Sequence, residues 1–456
     1  MIAFPRRVAR RFRAACAKCT SGRPRGPAPC VVIRQADDRV TLTATFPEVT
    51  LELACAVPLV RGRAAVLIVP MTALEAVGAD TDESVEFDAG EGLTGVARWA
   101  GPGSVPVAFV LPGRQHDPPP RPEMKPVPAG FLAALHEAAR TSSREDGRYA
   151  LSRVQVRGAT GHVIGTDGKL AVVFGPFVLP FASDVLVPAV PLFGAPEVRA
   201  AGDVRVGRTD AHLVVSAGDW TAWLTVAPVG KYPDVAAAVP RHAPTAVVLD
   251  RGDAADLLSQ LPGLPGREHD QRPVTLCADG ALAVRAGDDA GAVKEVRLAR
   301  SPVTGSVVRV VLDRRALARV LTLDCTALRI SPDKALVATG DGVTVLAAPL
   351  DPELAVAPEP RAYAPISDPD TNSKRSTSVK PNDSNGPAHG SRHDPPAGDA
   401  PDPLVAAEEL RAALADAAAK AARLVAALKA SRKEQKVLAS VLANLKQLNL
   451  GTGELR

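Results

Sequence analysis

Residues 165–173, "GTDGKLAVV", place an acid and a lysine between apolar runs, and two readings compete for them. One is a catalytic loop; the other is the turn of a β-hairpin. The chemistry favours the turn. Asp-Gly between two β-prone runs is a strong hairpin signal, because Gly accepts positive φ and the Asp side chain bonds its own backbone. With 165–173 read as a hairpin, the strand-like phrases on either side fall into a repeat.

Three segments follow one order of helix, strands, strand-to-helix phrase and closing strands. The first runs from a helical start at 6–19 through strands in 30–58, the phrase "VLIVPMTALEAVG" at 66–78, a hairpin at 84–99 and a last strand in 106–112. The second has a helix in 128–143, strands in 148–175, "VLVPAVPLFGA" at 185–195 and strands in 203–229. The third repeats the order at 250–263, 273–300, 310–321 and 327–350. Alternating β-branched residues mark the strands, and Asp-Gly, Gly-Asp and Pro-Asp pairs mark the turns. Each segment has the size of a domain, about 110–120 residues. A Pro-rich connection at 112–128 separates the first two. This predicts modules at 1–115, 125–242 and 243–352.

Composition narrows the function. Of the 456 residues 46% are apolar but only 4% aromatic, so Ala, Val and Leu must fill the core. Residues 1–30 hold eight Arg or Lys and no acid, a run that meets phosphate or stays solvated. On the first helix Val8, Phe12, Ala15 and Cys19 form a buried stripe, leaving Arg6, Arg7, Arg10, Arg13 and Lys18 on the outer arc. Arg140 and Arg144 close the second module's helix, and Arg314, Arg315 and Arg319 lie on the last one. The six cysteines suit a reducing cytoplasm, and Cys16, Cys19 and Cys30 read as buried thiols rather than zinc ligands. No apolar run reaches membrane-spanning length, and neither a signal peptide, a Gly-rich phosphate loop nor a nucleophile elbow is present. None of the eight histidines forms a metal-like pair, and Glu268-His269-Asp270 reads as a charged loop. No catalytic residue, metal or cofactor is implied.

After Leu350 the character changes. Residues 364–403 are poor in apolar side chains and rich in Pro, Ser, Asp and Asn, the composition of a disordered linker. Residues 404–449 read as a coiled-coil helix, with Leu410, Leu414, Ala417, Ala421, Leu424, Leu428, Leu438, Leu442 and Leu445 on a seam of alternating steps of four and three that Ser431 and Gln435 also occupy and weaken. Its partner is left open: within one assembly, between assemblies, or another protein.

Several phrases also match a known family in place and order. "VTLTATFPEVTLEL" at 40–53 is similar to the strand pair of bacterial β sliding clamps around "TATD". "RYALSRVQV" at 148–156 resembles their "RYxLNGVLxE", and the opening stretch resembles "ATDGHRLA". "GKYPDVAAAVP" at 230–240 is similar to their "FPDY" connection between modules two and three, and "VTVLAAPL" at 343–350 stands where clamps carry "YVVMPM". The resemblance covers about residues 5–352. It implies an α+β fold of three tandem DNA-clamp modules, helices lining a ring and antiparallel sheets outside, followed here by the linker and C-terminal helix. It further implies a non-catalytic, cytoplasmic processivity factor of DNA replication, a DNA polymerase III beta subunit type protein that closes as a head-to-tail homodimer around double-stranded DNA. Polymerase and clamp-loader type partners would insert short apolar peptides into a pocket lined by Leu151, Thr166, Gly168, Lys169, Leu170, Pro240, Leu346, Ala348 and Pro349. DNA would meet Arg6, Arg7, Arg10, Arg13, Lys18, Arg140, Arg144, Arg314 and Arg315.

Four departures stand out. Lys169 alone follows the hairpin Gly where clamps have His-Arg, and Ala348 replaces a Met. The helix opening module three carries three Asp, which is unfavourable toward phosphate. The linker and coiled coil have no clamp counterpart. An alternative expectation is therefore a clamp-fold paralogue that scaffolds partners without sliding on DNA.

Overall fold

Among the described residues, four of the six α-helices begin directly after a Pro or Asp that closes a β-prone run, at Pro5, Pro70, Asp250 and Asp313. In the computed structural model, which describes residues 1–22, 27–57, 64–89, 94–100, 105–110, 117–144, 149–228, 230 and 232–357, one ten-element order occurs three times. The first copy is β1 (Ile2–Pro5), α1 (Arg6–Cys16), β2 (Cys30–Ala36), β3 (Arg39–Thr45), β4 (Val49–Ala56), β5 (Ala65–Pro70), α2 (Met71–Val77), β6 (Ser84–Ala89), β7 (Thr94–Trp99) and β8 (Val107–Val110). The second is β9 (Lys125–Pro126), α3 (Gly130–Thr141), β10 (Arg153–Arg157), β11 (His162–Thr166), β12 (Leu170–Phe174), β13 (Val185–Pro188), α4 (Pro196–Arg199), β14 (Val204–Arg208), β15 (His212–Ala217) and β16 (Trp220–Thr225). The third is β17 (Thr245–Val248), α5 (Arg251–Gln260), β18 (Pro273–Asp279), β19 (Ala281–Gly287), β20 (Val293–Gly305), β21 (Val308–Asp313), α6 (Arg314–Thr322), β22 (Ala327–Ile330), β23 (Leu336–Gly340) and β24 (Val343–Ala347).

Two details differ from the sequence reading. Each copy opens with a short strand before its first helix, where the reading began at the helix itself. The second helix of the second copy shrinks to a 3-10 turn at Pro191–Gly194 and the single turn α4. Pro188, Pro191 and Pro196 lack the N–H donors that a longer helix needs.

The copies are sewn together by their sheets. β4 of the first pairs with β16 of the second, Leu53 opposite Trp220 through Val49 opposite Leu224. β12 of the second pairs with β24 of the third, Leu170 opposite Ala347 through Phe174 opposite Val343. The results are an eight-stranded and a twelve-stranded sheet, with β1-β6-β7-β8 as a third sheet of four. Residues 1–362 consequently form one compact unit. The expected linker at 364–403 and helix at 404–449 lie in the second unit, outside the described residues.

The core is filled mainly by Val, Leu and Ala, with the scarce aromatics at key positions. Phe12 of α1 stacks on Trp220 of β16, centroids 6.3 Å apart and planes at 3°, which bridges copies one and two. Phe4 stacks on Phe87 at 5.3 Å. The helices form a row on the sheets in the order α2, α1, α4, α3, α6, α5, with the 3-10 turn Pro191–Gly194 between α4 and α3.

The opening hairpin has the predicted chemistry. Asp167 Oδ1 accepts from the backbone N–H of Lys169 at 2.8 Å and of Leu170 at 2.7 Å. Gly168 sits at φ +93, a region that L side chains adopt with strain. The turn, residues 167–169, lies between β11 and β12 and leads directly into the strand that joins copies two and three.

Candidate functional site

On α1 the amphipathic reading holds, with Val8, Phe12 and Ala15 buried, but the helix ends at Cys16 rather than at 19, and the buried Cys19 lies in the turn beyond it. Burial also pushes the Cys16 and Cys19 thiols well above their ordinary pKa, which keeps them protonated and inert. The cationic side is already occupied. Arg6 pairs with Glu83 at 2.6 Å, donates from Nε to the Val77 carbonyl at 2.8 Å and lies over the Trp99 ring. Arg7 pairs with Asp82, Arg10 with Asp80 at 2.7 Å and Arg13 with Glu75 at 2.6 Å. All four acids come from α2 and the nine-residue stretch it begins, residues 75–83. Lys18 is exposed and has no partner among the described residues. Sequence reading passed over these acids; their crowding at 75–83 was visible, but nothing local named their partners.

At the junction of copies two and three, the cations take different parts. Arg140 makes only a loose 3.4 Å pair with Glu137, and Arg144 is exposed with no partner among the described residues. Arg315 is held by Asp313 at 2.6 Å and donates to the Asp270 carbonyl at 3.1 Å. Arg314 must be removed from the nucleic-acid set. It is 5% exposed, and its two terminal nitrogens donate to the carbonyls of Leu264, at 2.9 Å, and Pro265. Its apolar-facing helical position turns it inward, where it satisfies a loop. Arg319, partly buried, crosses the junction to the Glu137 carboxylate and backbone carbonyl of α3.

The three Asp of α5 prove to be structural. Asp250 caps the helix by accepting from Gly252 N and Asp253 N. Asp253, 5% exposed, accepts from Arg300 N, Arg300 Nε and the Ser301 hydroxyl, and Asp256 pairs with Arg300 at 3.0 Å. Burial pushes the Asp253 carboxyl up, but the Ser301 hydroxyl and Arg300 outweigh it and hold the pKa below its usual value. A lowered folded pKa contributes stability at neutral pH that is lost as pH falls through it. Asp253→Asn is therefore expected to cost about 1–3 kcal/mol at neutral pH. The gap to wild type should close below about pH 4, read from denaturant midpoints over a pH series.

The expected peptide pocket is partly assembled and partly split. Leu151 lies beside Gly168, where an added Cβ would sit 3.6 Å from Leu151 Cδ1, and Ala348 N donates to the Lys169 carbonyl at 2.8 Å. Two clefts flank that bond. One, about 610 Å³, is lined by Lys169, Ala348, Pro349, Leu350, Leu354 and the loop His269–Gln271 with Asp351 and Glu353. The other, about 470 Å³, holds Leu170 and Asp167 among Arg140, Arg144, Arg315 and Arg319. Thr166, Leu346 and Pro240 are buried instead. Leu346 joins Ile164, Ala171 and Val235 in a small separate cluster under the 232–240 segment. Tyr232 seats that segment by donating to the Ile164 carbonyl at 3.1 Å, and Arg157 by pairing with Asp234. Leu170 faces the main core while Leu346 faces this cover, so the two leucines stand on opposite sides of one sheet.

No protein-family model and no curated protein matches the chain. Its architecture, however, is shared with solved structures. A DNA polymerase sliding clamp from Pseudomonas aeruginosa superposes with a TM-score of 0.63 at 17% identity, over 77% of this chain and 99% of that one. The fold is that of a sliding clamp. The DNA polymerase III beta subunit from Borrelia burgdorferi (TM-score 0.64, 11% identity, 76% of this chain and 97% of that chain) shares it. So does the DNA polymerase beta subunit of Streptococcus pyogenes (TM-score 0.63, 15% identity, 76% and 99%). Nearly all of each clamp is matched by about three quarters of this chain. Among the described residues no helix is long and apolar enough to cross a membrane.

Proposed function

We propose that this chain closes with a second copy of itself into a head-to-tail ring around duplex DNA and there holds polymerase and loader-type proteins by short apolar peptides. One observation carries the reading. At both internal junctions the fourth strand of a copy pairs with the last strand of the next copy: β4 with β16, β12 with β24. The equivalent strands left over are β20, along residues 293–299, and β8; among the described residues nothing pairs with their outer edges. Joining β20 of one chain to β8 of another repeats the junction twice more, closes a two-fold ring and removes both edges.

The helix row would then face the bore. Lys18, Arg140, Arg144 and Arg315 supply cations for phosphates, without base readout, so the ring can slide. The peptide site is read as the two clefts flanking the Lys169–Ala348 bond, with Leu151, Gly168, Leu170 and Pro349 as apolar wall and turn. Each apolar anchor fully buried there contributes roughly 1.5–3 kcal/mol. Nothing in this reading requires catalysis.

Topological retention is the test. The chain is mixed with linear duplex whose biotinylated ends are afterwards blocked with streptavidin, then challenged with high salt. Co-elution with blocked DNA and loss from open-ended DNA is the expected result. Retention indifferent to the ends would replace sliding by ordinary binding, and no retention on either would favour the scaffold alternative.

A further inference from the structure

We infer that residues 75–83 are a counterion strap: they occupy the cationic side of α1 in place of phosphate and must be displaced before that helix can contact nucleic acid. The inference rests on the DNA-encircling reading above and adds a regulation to it.

The four arginine–carboxylate pairs run along α1 in antiparallel order, Arg6 with the far end of the strap and Arg13 with its start. The backbone seats the segment independently of those charges. The first N–H groups of α1, which no side chain caps, donate to the carbonyls of Glu83 (from Arg6, 2.9 Å) and Thr81 (from Arg7, 3.1 Å). Gly78 lies against α1, where an added Cβ would fall at ordinary contact distance, 3.4 Å, from Arg10 Cα. A strap held by its backbone can let its side chains swing away without leaving the helix.

Three of the pairs are built to exchange. Glu75, Asp80 and Asp82 are 60%, 82% and 72% exposed, whereas Glu83 is 25% exposed against an Arg6 that is 16% exposed. Exposed ion pairs are individually weak. DNA binding normally gains from counterions released by each neutralised phosphate. An arginine that arrives with its own carboxylate forfeits that gain, because the displaced acid recruits a counterion in turn. The strap thus lowers both the affinity for DNA and its dependence on salt.

The experiment compares the full chain with Glu75→Gln/Asp80→Asn/Asp82→Asn by fluorescence anisotropy on a short blunt duplex, between about 50 and 200 mM salt. The variant should bind several-fold more tightly at the low-salt end. Its slope of log K against log salt should steepen by up to about 2.7, three contacts at about 0.9 each. Adding Arg7→Ala and Arg10→Ala to the triple variant should take most of that gain away. Asp80→Asn alone should give about a third of the slope change, which keeps the test open if the triple variant unfolds. Wild type and variant binding with the same affinity and slope would reduce the strap to a structural clasp and leave the ring intact. Failure of both proteins to bind duplex would overturn the strap together with the DNA reading.

Discussion

Val110→Asp is expected to halve the particle mass measured by light scattering, from twice the 47.3 kDa of one chain to a single chain. Val110 ends β8 and is 69% exposed in the isolated chain, so a carboxylate there leaves the monomer fold undisturbed. In a ring joined through β8 the same carboxylate would be desolvated beside a paired edge. An unpaired buried charge at such a contact costs about 3 kcal/mol or more, about a hundredfold or more in dissociation constant. Val293→Asp, on the opposite free edge at β20 and 43% exposed, should act equally. The same variants should lose retention on end-blocked DNA. A wild-type monomer would refute closure, and a variant that stays dimeric would place the contact elsewhere.

Phe12→Ala should produce the largest loss of stability, about 3–5 kcal/mol. Phe12 is fully buried and stacks on Trp220 across the junction of the first two copies, so its removal opens a cavity between α1 and the sheet that joins them. Phe12→Leu, which keeps most of the volume, should cost less than about 1.5 kcal/mol. Urea unfolding followed by tryptophan fluorescence compares them, with Trp220 as the local reporter. Equal losses would mean that the site collapses to fill the space.

Much of the architecture was readable because its signals are short-range. Asp167-Gly168 specified its own turn through bonds spanning two and three residues. The α1 stripe of Val8, Phe12 and Ala15 follows from helical periodicity alone. The short opening strands were missed because two to four residues carry no periodicity, and the helix expected within the phrase at 185–195 was overruled by its prolines. Of the residues expected at a peptide pocket, Leu151 and Gly168 are neighbours, Lys169 and Ala348 share one cleft, and Leu170 lines another. Leu346 could be located only once the 232–240 segment had closed over its face.

Charge is where the limit falls. The arginine run at the start of the chain is plain to read, yet whether those cations are free depends on Glu83, 77 positions from Arg6, and on Glu75, 62 from Arg13. The same holds for Arg314, drawn inward to carbonyls 50 and 49 positions away. Helices, hairpins and their order arise from interactions within a few residues, and the chain's own pattern decides them. Which cation faces solvent, which strand edge is left unpaired and which cleft stays open arise from contacts at long sequence separation, and these exist only after folding has chosen the neighbours.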